Sequence, residues 1–230
     1  MMSYERILKE LQSLANPGNA EGMARYGISS KKVLGLCMPD IERIGKEAGR
    51  DHALALRLWD SGIYEARILA ALVDEPGRVT EAQMEEWAGD FDSWAVCDNT
   101  CMKLFGKTPF AYRKAAEWSS RTSEFEKRAG FALMATLSVH DKKAGDGAFI
   151  AFLGMIKRES RDERNYVRKA VNWALRQIGK RSMELNGEAI KAAEAIGRLD
   201  SKPARWIAAD ALRELRSQKV HERLKKRQMD

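Results

Sequence analysis

The stretch Ser93-Trp94-Ala95-Val96-Cys97-Asp98 holds a tryptophan and an aspartate four residues apart. On a helix that spacing puts the indole and the carboxylate on the same face. Asp98 is flanked by the apolar residues Val96, Cys97 and Met102, a setting in which an acid usually has work to do. The same spacing also fits an acid that caps a helix or pairs with a cation, so both readings stay open on these residues. Other familiar chemistry is missing. There is no Gly-x-x-x-x-Gly-Lys-Ser/Thr loop, no Gly-x-Gly-x-x-Gly and no His-Glu-x-x-His. The three histidines, His52, His140 and His221, are scattered. Cys97 and Cys101 share a helical face without a second ligand pair, so they read as small buried hydrophobes rather than a zinc site. Cys37 has no histidine at motif spacing and is not read as a nucleophile. No metal or cofactor is expected.

Six tryptophans offer further candidates. Trp59, Trp87 and Trp118 fall on otherwise apolar helical faces and are expected in the core. Trp173, in Val171-Asn-Trp173-Ala-Leu-Arg176, also reads as core by its pattern.

Charge narrows the partners. The 230 residues carry 40 Lys+Arg against 33 Asp+Glu, a net charge of +7. From Lys157 onward there are 20 basic and 11 acidic residues, a net of +9, and the first 156 residues net −2. A cationic half attracts polyanions by steering and counterion release; a merely solvated basic surface is the alternative. Three cysteines cannot build a disulfide framework and suit a reducing compartment. The N-terminus is charged every few residues, and no run approaches the ~18 apolar residues of a membrane span. A cytoplasmic protein with no membrane partner is expected.

The elements that must position these residues read as helical nearly throughout. Ile7, Leu8, Leu11 and Leu14 line one face of a helix over Tyr4–Leu14. Asp51–Leu58, Ala66–Val73, Glu81–Trp87, Pro109–Trp118, Glu124–Leu137, Phe149–Ile156, Tyr166–Ile178, Gly187–Ile196 and Ala204–Leu215 follow the same rule. Asn16-Pro17-Gly18 is expected to stop the first helix, and Asn186-Gly187 to form a loop. Thr80 with Gln83 fits a capping box, and Pro203 the first turn of a helix entered from Ser201. Convincing strand alternation is absent. The fold class is therefore all-α.

The breaks are short, and no interdomain linker stands out, so residues 1–230 are expected to form one helical domain. Its basic tail, 219–230, reads as a frayed helix or a nonspecific DNA contact. A weak repeat runs through the second half. Arg168 to Leu175 and Arg205 to Leu212 share Arg, Ala at +6 and Leu at +7, 37 residues apart, and Arg128 to Ala135 begins 40 residues before the first. Helix-pair repeats of about 40 residues build HEAT- or armadillo-type solenoids, whose concave face suits an extended partner. An ordinary helical bundle is the alternative.

Over roughly Leu8 to Leu215 the chain resembles the AlkD-like DNA alkylation repair glycosylases. Met23-Ala-Arg-Tyr26-Gly, followed by Lys32-Val-Leu-Gly-Leu-Cys-Met-Pro39, is similar to the family's opening Tyr and its Gly-x-x-x-Pro turn. Ser93-Trp94-Ala-Val-Cys-Asp98 resembles its Trp-x-x-x-Asp motif. Glu126-Lys-Arg128-Ala129 is similar to the basic pair that supplies an active-site Arg, and Val167 to Arg176 to the segment carrying the second site Trp, here Trp173. Ala95 stands where many relatives carry an acid.

The resemblance implies a HEAT-like α-solenoid that cradles duplex DNA on a concave basic face. It implies Asp98 as the catalytic carboxylate, with Trp94, Trp173, Arg128 and Tyr26 contacting substrate or DNA. The implied substrate is an N3- or N7-alkylated purine, whose positive charge makes it a leaving group that needs no protonation. Asp98 would stabilise an oxocarbenium-like sugar and place a water, the indoles would face the cationic nucleotide, and Arg128 would hold a phosphate. Such an enzyme is expected to work as a monomer without an obligate protein partner, cytoplasmic and nucleoid-associated when bound to DNA. The other reading on the same fold is a non-catalytic binder of branched or distorted DNA. A protein-interaction solenoid is a third.

Overall fold

Side-chain caps set many of the helix starts. Ser3, Asn16, Asp51, Thr80, Ser93, Ser182 and Ser201 each accept a hydrogen bond from the backbone N–H three residues on. The computed structural model describes residues 2–28 and 32–229. Among them are fourteen α-helices and one short 3-10 turn, with no strand.

The chain divides into two compact units, Met1–Phe110 and Ala111–Asp230. The first holds α1 (Tyr4–Ser13), α2 (Pro17–Ala24), α3 (Met38–Ala48), α4 (His52–Asp60), α5 (Tyr64–Val73), α6 (Glu81–Gly89), α7 (Trp94–Lys103) and the 3-10 turn Phe105–Lys107. The second holds α8 (Ala111–Trp118), α9 (Glu124–His140), α10 (Asp146–Glu159), α11 (Asn165–Ile178), α12 (Met183–Gly197), α13 (Lys202–Leu215) and α14 (Gln218–Met229).

In each unit, helices pack on their neighbour in sequence and on the helix two further along. α5 packs against α3, α4 and α7; α11 packs against α9 and α13, and α12 against α10 and α13. This is the two-layer pattern of stacked helix pairs. Because small residues let helices close up, Ala66, Ala70 and Ala71 in α5 and Ala129, Ala132 and Ala135 in α9 are fully buried. In α9 closeness is obligatory: a Cβ on Gly130 would stand 2.5 Å from the backbone nitrogen of Ser119.

The expected core tryptophans are buried. In the first unit Trp59 stacks on Trp87 at 4.0 Å between centroids, with Phe91 and Phe105 around them. Trp118 is fully buried in the second unit.

Several local expectations fail for physical reasons. The first helix stops before Asn16-Pro17-Gly18 as expected, but Pro17 also opens an unexpected α2, whose eight residues include two glycines and bury nothing, so periodicity could not mark it. Helix α3 also lies outside the segments read as helical, although Ile41, Ile44, Gly45 and Ala48 bury one face. Asn186-Gly187 is not a loop but lies inside α12, which Ser182 caps. The Asn186 side chain donates to the carbonyls of Gly179 and Leu215, which compensates a residue otherwise favouring turns. Thr80 caps α6 as expected, but Gln83 does not close the box. Its amide donates instead to the buried Asp74 carboxylate at 2.7 Å. The tail is helical as α14, with Val220 and Leu224 buried.

Candidate functional site

Three of the expected site residues come together in the first unit. Trp94 is the first residue of α7, and Ser93, itself buried, caps that helix. The Trp94 indole is half-buried, and its Nε1–H donates to the backbone carbonyl of Tyr26 at 2.8 Å. Tyr26 follows α2 and is 76% exposed. The indole thus pins an otherwise solvent-swept tyrosine beside the start of α7. One turn further along α7 lies Asp98, 8% exposed, with the buried thiols Cys97 and Cys101 next to it on the helix. A carboxylate in so little water keeps its field.

A residue that the sequence reading passed over holds the other wall. Glu65 in α5 is fully buried, and its carboxylate accepts from the backbone N–H groups of Leu34, Gly35 and Leu36 at 2.7–3.2 Å. Gly35 has φ +84°, and a Cβ there would come within 2.2 Å of the Asn16 carbonyl oxygen. This glycine's chain can therefore lie directly against the start of α2, where Asn16 N–H donates to Leu34 O at 2.7 Å. Gly18, Gly22, Gly35, Tyr26 and Cys37 line a shallow open groove there of about 330 Å³. The clue in the sequence was an acid at position 65 on a face shared with Ile68, Leu69 and Leu72. Cys37 caps nothing; its exposed thiol donates to Asp40 at 2.8 Å.

In the second unit, Arg128 lies in the second turn of α9 and is 6% exposed. Its Nη1 donates to the Tyr166 carbonyl at 2.7 Å, in the first turn of α11. Trp173 is half-buried two turns further along α11, about 10 Å up that helix. The two sit on packed helices, but Arg128 spends one donor on the protein itself. A polar knot fixes the entry to both helices. Lys127 meets Glu159 at 2.6 Å and Asp162 at 3.3 Å, while Arg164 meets Asp162 at 2.6 Å. Burial works to raise the Asp162 carboxyl, but hydrogen bonds and charge from Arg164, with Lys127 assisting, hold it below the ordinary carboxylate range. Glu159 is lowered in the same contest, with Lys127 and Arg158 overcoming burial.

Basic residues also gather at helix ends. Lys107 lies near Arg50 and Lys103 in the first unit; burial first, then these two cations, push its ammonium below the usual lysine value. Among the described residues no group of three or more His, Cys, Asp or Glu could hold a metal ion. No described helix is long and apolar enough to cross a membrane.

The stacked helix pairs and the Trp94/Asp98 face define the class. Residues 7–215 match the sequence profile of a family described as DNA alkylation repair enzyme, and the chain belongs to that family. Among its relatives is an uncharacterized protein of Listeria innocua, 25% identical over 203 residues, which span 86% of this chain and 88% of the relative. A second, from Listeria monocytogenes, is 23% identical over the same shares. A solved structure superposes with a TM-score of 0.75 at 19% identity, covering 93% of this chain and 95% of the other. It belongs to a new family of proteins related to the HEAT-like repeat DNA glycosylases with affinity for branched DNA structures. The fold is thus all-α and of the HEAT-like repeat kind.

Proposed function

We propose that this protein is a DNA glycosylase that releases N3- or N7-alkylated purines from duplex DNA. The observation that carries the reading is the nearly buried Asp98 one helical turn below the half-buried Trp94 in a chain of the DNA alkylation repair family. Alkylation leaves the purine positively charged. When the C1′–N bond breaks, its electron pair passes to the purine, which leaves neutral. The sugar becomes cationic, and water adds at C1′ and gives up one proton. Asp98 faces the cationic sugar, lowers its energy through the field of an ionised carboxylate, and orients the water. No acid is needed for the leaving group, so a single carboxylate suffices where glycoside hydrolysis uses two. Trp94 offers a π face to the cationic nucleotide, worth about 0.5–2 kcal/mol. Arg128 and Tyr26 serve the DNA backbone.

The test measures release of 7-methylguanine and 3-methyladenine from methylated duplex, wild type beside Asp98→Asn. Release by wild type and loss in the variant, with DNA affinity nearly unchanged, is the expected outcome. A retained rate in Asp98→Asn removes Asp98 from the mechanism.

A second reading is non-catalytic binding of branched or distorted DNA. The description of the structural relative favours it, and so does the excess of basic residues after Lys157. Salt-sensitive DNA binding with no release by wild type would select it.

A further inference from the structure

At the C-terminal ends of α9 and α11 the second unit carries a basic groove of about 440 Å³, lined by Lys142, Ala144, Asp146, Arg181, Ser182 and Arg227. Its walls are firmly built. The Arg181 guanidinium lies 4.3 Å over the Phe149 ring and donates to the carbonyls of Ser138 and Ala144 at 3.1 and 2.6 Å. Arg227, exposed on α14, donates to the Lys180 carbonyl at 3.2 Å. Lys142 stands on the loop after α9, which Asp141 ties down by accepting from the N–H groups of Lys143 and Ala144.

The acids nearby are already engaged. Asp141 accepts from the Tyr112 hydroxyl at 3.0 Å. Asp146 accepts from the Ser182 hydroxyl and lies 3.7 Å from Arg181 Nε. Glu214 takes Lys180 at 2.8 Å and Arg176 at 3.0 Å. Among the described residues, Lys142, Arg223 and Arg227 pair with no acid. Partial burial, then Arg227, Arg181 and Arg223, hold the Lys142 ammonium below its ordinary value. Lys142, Arg181 and Arg227 converge on the groove, with Arg223 close to Lys142, and the acid in its lining, Asp146, is already engaged by Ser182 and Arg181, an arrangement that a doubly oxygenated anion such as a phosphodiester would relieve.

The groove is not part of the surface around Arg128. Arg128 and Asp141 lie thirteen positions apart along α9 and its loop, about 20 Å along the helix axis. Phosphates in the groove would therefore belong to a stretch of backbone well removed from that held near Arg128.

We propose that this groove binds the phosphate backbone of a second DNA segment, so that the protein grips one arm of a branched or sharply bent DNA here while another arm lies at the Arg128 end. The inference rests on the DNA-binding reading above.

The test is a titration of linear duplex and of a four-way junction built from the same sequences. It uses wild type and the triple variant Lys142→Gln/Arg223→Gln/Arg227→Gln, in the full chain and at several salt concentrations. Arg181 is left in place because it ties backbone carbonyls, and a far-UV melt checks that the variant is folded. The expected result is a junction affinity about tenfold weaker or more, with the linear duplex changed less than about twofold. The log–log salt slope for the junction should also fall by two to three, since each released phosphate contact contributes about 0.9. The single variant Arg227→Gln, at an exposed position on α14, should give a proportionally smaller junction effect if the triple variant melts early. Equal weakening on both DNAs overturns the second-segment assignment, and so does an unchanged junction affinity. Wild type that binds neither DNA removes the DNA-binding reading itself.

Discussion

At the scale of single residues, the loop beside Tyr26 depends on one buried carboxylate. Glu65 satisfies three backbone donors, so removing its oxygens strands buried N–H groups at about 1–3 kcal/mol each. Glu65→Ala should destabilise the protein by about 3–5 kcal/mol in urea unfolding, and hydrogen exchange at Leu34–Leu36 should speed up. Glu65→Gln, which keeps one acceptor oxygen, should lose less. A change below about 1 kcal/mol for Glu65→Ala would show that the loop holds without it. Asp98 and Glu65 are both buried acids on largely apolar helices; Glu65 accepts from backbone amides, and Asp98 lies one turn from a half-exposed indole. Tyr26 is positioned through its own carbonyl rather than its ring, which leaves the phenol in solvent.

At the scale of elements, helix packing is governed by where a side chain cannot fit. α9 crosses the end of α8 at Gly130, and its neighbours in the same stretch are alanines. Gly130→Ala adds a methyl group 2.5 Å from a backbone nitrogen that cannot step aside. The loss should be about 1–3 kcal/mol, despite alanine's better helix propensity, because overpacking outweighs propensity. A melting temperature equal to or above wild type would mean that α8 can shift. The helices α11 and α13 are joined differently. Asn172 donates to Asp210 at 2.7 Å, Arg176 and Lys180 both meet Glu214, and the Arg168 guanidinium lies 4.8 Å over Trp206. These contacts tie together the two helices whose segments share the Arg, Ala and Leu that mark the repeat. The repeat is thus a rule for stacking neighbours: Ala174 and Leu175, and likewise Ala211, are the buried members of its faces.

At the scale of the whole molecule, the charge excess beyond Lys157 sets two behaviours. One is attraction to polyanions, read by the salt slopes above. The other is the response to acid. Glu159 and Asp162 have folded-state values below their unfolded ones. Their contribution is therefore fully present above the unfolded carboxylate range near pH 4, and it is lost as pH falls through the lowered folded values. Unfolding monitored by circular dichroism should show stability declining below about pH 4.5. Glu159→Gln with Asp162→Asn should flatten that decline. A decline of equal steepness in the double variant would place the acid sensitivity elsewhere. Both carboxylates face Lys127, and Arg158 and Arg164 add to the field, so loss of the acids also leaves three cations crowded at the entry to α9 and α11.

Much of this protein was legible before any fold was known. The all-α class follows from periodicity, since buried faces at i, i+3, i+4 and i+7 can be satisfied only by helices. The core place of Trp59, Trp87 and Trp118, the capped start of α6 and the pairing of Trp94 with Asp98 on one face are local matters, decided within a few residues by backbone geometry. Helix α2 was not legible, because a short helix with two glycines and nothing buried leaves no apolar signature. Asn186-Gly187 misled for the opposite reason: the carbonyl of Gly179, in the turn before α12, and that of Leu215, on α13, satisfy Asn186 and make a turn-former helical. Only tertiary structure could place Glu65 under the Gly35 loop, pin Tyr26 to Trp94, spend an Arg128 donor on Tyr166, and converge Lys142, Arg181 and Arg227 from three separate segments. Hydrogen bonds and like-charge crowding between residues 30 to 85 positions apart have no period in a sequence. They come into being when the helices stack.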